Sequence, residues 1–507
     1  MRLFQKFSLS MGLFSLIAAA GCGGGGSVVI TTTNNGNYSA ATLKGSYDYQ
    51  IHGTEFVTLQ AQPYRQYGVF TADGAGNITA QSDDATLSSG GGSFACNASC
   101  GSYQVASDGT GFITLNNSGF SSSFSPAIGP VTLALTLSSS TKVYLMEADS
   151  FADGAGVAEF QDSAAISATP SGMFVFRLHE TSSAQGQFSA SHLGVVTLPG
   201  SGVNGSMDQN LGGTFSSPTV TWTLGAPGAL GRGTGSFTDS TNFTTNFVYY
   251  IVNSGKFALL VSNSGAVGSG SAETQAGAVS GGLSGSYAFG SRGDDSSFFD
   301  GLATVGQFTA SSGSISGVED LMRDGTYSNG NLSGSYSATA NGRVAVTLNS
   351  GSIQEVFWMV SPSRAFFLTN NSSQIEDGTA DLQTVNSFSA STMKGQFAMV
   401  MDGLDLASFP FNGAVGTLAR VGALQFNGTG KLTLAELAND SLTGSGAQSP
   451  GGLSGTYTVS ANGRATGTLT GSNGGLTLVM YAVSASDAYA LQADGLTNTS
   501  GPIELQH

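Results

Sequence analysis

The sequence predicts an all-β fold, and three features carry that expectation. Apolar residues alternate with period two, Asp-Gly and Asn-Gly dipeptides punctuate the chain, and one Gly-aromatic opening recurs four times. In the clearest segment Val131, Leu133, Leu135 and Leu137 alternate with Thr132, Ala134 and Thr136, giving a strand one apolar face and one small or polar face. Helical spacing is absent beyond the first twenty or so residues. Asp73-Gly74, Asp108-Gly109, Asp153-Gly154, Asn341-Gly342, Asn427-Gly428 and Asn462-Gly463 sit between such segments and accept the positive φ of a tight hairpin. Antiparallel meanders follow.

The repeat has two markers. Its opening places an aromatic two residues after a glycine, in Gly45-Ser46-Tyr47, Gly172-Met173-Phe174, Gly285-Ser286-Tyr287 and Gly395-Gln396-Phe397. Its close reads Gly-x-Ala/Ile-acid-x-Gln, from Gly156 to Gln161, Gly270 to Gln275, Gly378 to Gln383 and Gly501 to Gln506. The closing glycines recur at intervals of 114, 108 and 123 residues, each the size of a small domain. Four β units are expected, at 43–161, 170–275, 283–383 and 393–506, with Ser/Ala/Gly stretches at 162–169, 276–282 and 384–392 between them. Units three and four agree best, through Leu332 to Tyr336 and Ala340-Asn341-Gly342-Arg343 against Leu453 to Tyr457 and Ala461-Asn462-Gly463-Arg464. Unit two, with Pro199, Pro218 and Pro227, is the most diverged.

In unit one the pattern gives eight strands, near 46–52, 66–72, 77–82, 101–106, 111–116, 131–138, 141–148 and 156–161. Eight hairpin-linked strands can close on themselves, with the last pairing the first. Closure removes both sheet edges, a hazard in a chain with few charged gatekeepers. The expected architecture is four tandem Gly/Ser-rich units, each a small eight-stranded lipocalin-like barrel. β-Sandwiches are one alternative. A propeller is the other, since Leu-Ser-Gly-Ser-Tyr recurs at 283 and 332 within unit three.

Composition narrows the function. With 32 acidic and 16 basic residues the net charge is −16, which repels phosphate backbones and argues against nucleic acid as a partner. Charged residues are only 9% of the chain, against about 25% in ordinary domains. Ser, Thr, Asn and Gly must therefore cover much of the surface. Disorder is excluded by 40% hydrophobic residues with 31 Phe and 15 Tyr. A chain of 507 residues calls for several cores.

At the N-terminus Arg2 and Lys6 precede an apolar run from Phe7 to Ala20, too short for the roughly 20 residues of a membrane-spanning helix. Residues 1–21 are read as a signal peptide. Ala19-Ala20-Gly21-Cys22 resembles the lipobox of bacterial lipoproteins, although Leu is commoner at the Ala19 position. The resemblance implies a diacylglycerol on Cys22, and Gly23 after it implies outer-membrane sorting. Residues 22–42, rich in Gly, Thr and Asn, make a flexible tether. The Leu-x-Gly-x-Tyr openings and Asp-Gly-x-Gly turns also resemble repeat-containing β-rich surface lipoproteins of environmental Gram-negative bacteria, which implies export and repetition but no activity. Of the other cysteines, Cys96 and Cys100 form an even pair that is expected to bond in an oxidising compartment, and two sulfurs without a His or a second pair nearby fall short of a metal site.

Signatures of chemistry are weak. His52, His179, His192 and His507 fit no zinc spacing, and there is no Gly-x-Ser-x-Gly elbow. Asp83-Asp84, Glu319-Asp320 and Glu376-Asp377 are candidate glycosidase pairs by proximity, but neighbours in a strand face opposite ways, so they read as solvated loop acids. Arg292-Gly293-Asp294 reads as a chance tripeptide in a loop, and Trp222 and Trp358 as core or interface residues. No metal and no cofactor is expected. The chain reads as a lipid-anchored envelope protein with a non-enzymatic binding, adhesion or structural role, its barrels a tethered series whose weak contacts add up against extracellular polymer or neighbouring cells. Carriage of small apolar ligands in the barrels is the alternative, and a carbohydrate-active hydrolase ranks below it.

Overall fold

The computed structural model describes residues 37–56, 62–125, 128–182, 188–200, 202–277, 279–295, 301–406, 416–442, 446–472, 474–495 and 497–507. The signal peptide, Cys22 and the tether up to residue 36 lie outside the described residues.

Barrel 1 consists of β1 (Lys44–Glu55), β2 (Gln62–Asp73), β3 (Asn77–Leu87), β4 (Gly90–Cys96), β5 (Gly101–Val105), β6 (Thr110–Leu115), β7 (Val131–Ser139), β8 (Lys142–Glu147) and β9 (Ala152–Phe160). Pairing runs β2-β1-β9-β8-β7-β6-β5-β3 and returns to β2, closing eight antiparallel strands, while β4 is a flap on β3. The sequence pattern missed β4 because Gly90-Gly91-Gly92-Ser93 has no alternating apolar face. Barrel 2, from Gly172–Ser182 to Ala266–Thr274, repeats this nine-strand plan. Barrels 3 and 4, from Gly285–Asp295 to Gln374–Leu382 and from Lys394–Asp405 to Thr497–Leu505, are closed by eight strands each. The chain is therefore four barrels, and the sandwich and propeller alternatives fall. The second Leu-Ser-Gly-Ser-Tyr is not a blade opening: Tyr336 donates its hydroxyl to the Leu283 carbonyl at 2.7 Å, tying a mid-barrel strand to the barrel's start. Tyr103 and Tyr457 do the same to Leu43 and Met393, at 2.8 and 2.9 Å.

Both repeat glycines are required by the backbone. Gly45, Gly172, Gly285 and Gly395 of the openings have φ between +106° and +127°, where a side chain is strained. At the closing Gly156, Gly270 and Gly501 a Cβ would lie 1.7 to 2.0 Å from a carbonyl oxygen of the barrel's first strand. The opening aromatics Tyr47, Phe174, Tyr287 and Phe397 are buried, each against a second ring 5.1 to 5.6 Å away. Each barrel is filled by its own apolar cluster. The cavity in barrel 3, among Phe289, Phe308 and Phe357, is about 10 Å³, room for at most about one water.

The barrels are not a flexible series. Each packs the outer face of its first strands on the outer face of later strands in the next. Tyr67 and Val69 meet Val248, Tyr250 and Leu260, and Leu193 and Val195 meet Trp358, Phe366 and Leu368. Ala303 and Val305 meet Val479, Tyr481 and Leu491. Ala419 and Val421 of barrel 4 then meet Ala134, Tyr144 and Met146 of barrel 1. A head-to-tail contact that returns to its start after four copies makes a closed ring. Tyr38, at the start of the described chain, donates to the carbonyl of His507 at its end, at 3.0 Å.

Candidate functional site: the inter-barrel latches and the charged axis

The closing motif is the latch of the ring. The Gln161 amide donates to the Leu230 and Ile251 carbonyls of barrel 2 at 2.9 and 2.7 Å, and Gln275 to Asn341 and Met359 of barrel 3 at 3.0 and 2.8 Å. Gln383 reaches Asn462 and Ala482 of barrel 4 at 3.0 and 2.8 Å. Gln506 completes the circuit at Asp108 and Leu137 of barrel 1, at 3.1 and 2.6 Å. The docking turns carry Gly109, Gly231, Gly342 and Gly463, where a Cβ would come within 2.7 to 3.0 Å of the incoming amide nitrogen. The acid of the motif also crosses: Glu159 pairs with Lys256, Glu273 with Arg364, and Glu504 with Lys142. In barrel 4 the basic position is Asp487, and Asp381 instead accepts from the Tyr489 hydroxyl at 2.5 Å.

Three interfaces share a further constellation. Arg232 forks onto Asp84, which also accepts from the Tyr250 hydroxyl; Arg343 forks onto Asp208, which accepts from the Trp358 indole; Arg464 forks onto Asp320, which accepts from Tyr481. These bonds span 2.5 to 2.8 Å, and Asp208 and Asp320 are fully buried. At the seam between barrels 4 and 1 the equivalent residues are Leu437, Thr110 and Thr136. Acid and base are lost together, as they must be if neither is to be buried alone.

On the ring axis the first strands of all four barrels converge. The fifth residue after the opening aromatic is His52, His179, Arg292 and Asp402 in barrels 1 to 4. Four identical charges there would repel; the differing residues pair. His52 lies 3.4 Å from Asp402, which also pairs with Arg292, and Arg292 donates to Ser500 at 2.8 Å. His179 sits 2.9 Å from Asp377 and 3.8 Å from Asp294. Burial would lower the His179 imidazole, but hydrogen bonds and charge from Asp294 and Asp377 push it up to about 9. Burial would likewise raise the carboxyls of Asp294, Asp377 and Asp402. The groups beside them, charged His179 for the first two and the Arg292 guanidinium together with the His52 ring for the third, hold all three below the usual carboxylate range.

The acid pairs are not solvated loop residues. Asp83-Asp84, Glu319-Asp320 and Glu376-Asp377 lie in strands, with one member turned inward and the other toward a neighbouring barrel. Asp83 accepts from Gln66 at 2.8 Å inside barrel 1, and Glu376 from Thr304 at 2.8 Å inside barrel 3. The loop expectation failed because it took acids to be exposed by default, whereas Asp83, Asp84, Asp320, Glu376 and Asp377 are satisfied by hydroxyls, amides, arginines or a histidine. Glu319 is half-buried, its carboxyl pushed up to about 7 by desolvation. Arg292-Gly293-Asp294 is likewise in a strand, with both charges on the axis. Trp222 is central to barrel 2, stacked on Phe237 at 5.4 Å, and Trp358 lies in the barrel 2–3 interface. His192 is buried 3.3 Å from Glu180, and Cys96 is bonded to Cys100, Cα–Cα 5.7 Å, where β4 gives way to β5. Among the described residues no group of three His, Cys, Asp or Glu side chains is placed to hold a metal.

No family and no curated protein matches the chain. Among solved structures it is similar to the vaccine antigen transferrin-binding protein B, as a double mutant, from Haemophilus parasuis Hp5, at 9% identity and a TM-score of 0.20 over 72% of this chain and 82% of that one. It is similar also to intact Ap-TbpB, N and C lobes, at 9% identity and a TM-score of 0.20 over 94% of this chain and 98% of that one. Likenesses at that level carry no argument about function.

Proposed function

We propose that the chain is a lipid-anchored envelope protein whose ring of barrels is a rigid, non-enzymatic binding or structural platform at the cell surface. The observation that carries this reading is ring closure. It sets Tyr38, where the tether from Cys22 would enter, beside His507 on the face of the openings and latches. One lipid then holds the whole ring by that face and turns the opposite face away from the membrane. The filled core of barrel 3 speaks against the carrier alternative there.

Changing Cys22 to Ala tests the anchor. Acyl chains bind a membrane through burial worth about 0.8 kcal/mol per CH₂. The variant is expected to lose labelled fatty acid and to leave the membrane fraction. Equal label on both proteins, or a wild-type mature N-terminus at Gly21, would overturn the lipid-anchored reading.

A further inference from the structure

We propose that the axis of the ring holds one small oxyanion, a carboxylate or a phosphate, on the guanidinium of Arg65. Arg65 stands opposite His52 in the β1–β2 pairing, on the outer face of barrel 1, within the field of Asp294 and Asp402 from barrels 3 and 4. It is the exception at its level, since the equivalent residues of the other barrels are Ser191, Ala303 and Ala419.

The carboxylates nearby are already engaged. Asp402 is taken by Arg292 and His52, and Asp294 and Asp377 by His179. Among the described residues Arg65 makes no ion pair, and its side chain donates one hydrogen bond, to its neighbour's carbonyl on Tyr64 at 2.8 Å. Most of a guanidinium's five N–H groups are thus left over, in a fork that matches an oxyanion. With Arg65, Arg177, Arg292 and charged His179 against three aspartates, the axis is short of one negative charge within a protein of net charge −16. Solvent reaches the axis: the side chains of His52, Arg177 and Arg292 are 39%, 34% and 34% exposed. Desolvation lowers the Arg65 pKa even though Asp402 and Asp294 act to raise it, so burial outweighs the carboxylates nearby.

Inorganic phosphate is the probe, titrated at constant ionic strength into the full mature chain, with acetate as the carboxylate arm and chloride as the reference. The expected result is one saturable phosphate or acetate per chain by equilibrium dialysis, with a thermal midpoint that rises as the site fills. Arg65→Gln should lose the bound anion and keep only the small rise that excluded salts give any protein, whereas Lys394→Gln, on an exposed lysine away from the axis, should bind as wild type. If Arg65→Gln does not fold, Arg65→Lys, which keeps the charge but not the fork, should weaken binding at least severalfold. No saturable binding to wild type, or equal midpoint shifts in wild type and Arg65→Gln, would overturn the proposal.

Discussion

Replacing Asp320 by Ala should destabilise the protein by about 3–5 kcal/mol, the range for a buried ion pair stripped of one partner. Asp320 is fully buried and Arg464 is 27% exposed. The substitution removes both oxygens of the Arg464 fork and the acceptor of the Tyr481 and Tyr327 hydroxyls. It leaves between barrels 3 and 4 a cation whose remaining bond is the one to the Tyr327 hydroxyl at 3.1 Å, and a buried Tyr481 hydroxyl without its acceptor. The barrel 4–1 seam shows the apolar solution to the same contact, with Leu437 and Thr110 in place of the acid and the base. The double variant Asp320→Leu, Arg464→Thr should therefore recover at least half of the loss, read by chemical denaturation. A double variant as unstable as Asp320→Ala would mean that the orphaned charge is not the source of the cost.

Stability should fall as pH rises from about 5 to about 9. Burial raises the carboxyls of Asp83 to about 6, Glu319 to about 7 and Asp153 to about 8. Between the unfolded value near 4 and these folded values the native state holds more protons than the unfolded chain, so stability declines with rising pH. His179, raised to about 9, has the same sign. Its contribution is complete below its unfolded value near 6.5 and is lost as pH climbs through 9. Asp294, Asp320, Asp377 and Asp402, whose carboxyls are lowered, act oppositely and give up their contribution only below about pH 4. The maximum is thus expected on the acid side of neutrality. Urea midpoints across pH 4 to 9 measure it, and His179→Gln should flatten only the limb above about 6.5. Midpoints that rise from pH 5 to 8 would contradict this distribution of charges.

The markers that revealed the repeat are the residues that close each barrel and join it to the next. Gly156 and its equivalents were legible because a steric demand admits one residue type, and the opening aromatics because each fills the same core position. What the markers bind was not legible. The Gln161 amide docks on the main-chain carbonyls of Leu230 and Ile251, and a carbonyl leaves no mark in a sequence. Arg343 and Arg464 stood out as shared residues after Asn-Gly turns. Their partners Asp208 and Asp320 belong to the preceding unit, so nothing within one unit announces the pair. The axis was hidden for the opposite reason: His52, His179, Arg292 and Asp402 share a position but differ in type, and a search for identity passes over them. Counting five residues on from each opening aromatic would have found them. The ring itself was missed because the short Ser/Ala/Gly stretches between units mark only domain boundaries, whereas the interfaces use alternate strand residues such as Val175 and Leu193, which look in sequence like any other strand face.

Ring closure is most directly tested by small-angle X-ray scattering of residues 37–507 in dilute solution. Four barrels joined in a compact ring of about 470 residues should give a radius of gyration near 23–25 Å and a distance distribution with one compact peak. Four barrels strung along flexible connections, each about 13 Å in radius of gyration, would give about 35–40 Å and an extended tail, and that result would contradict the closed ring.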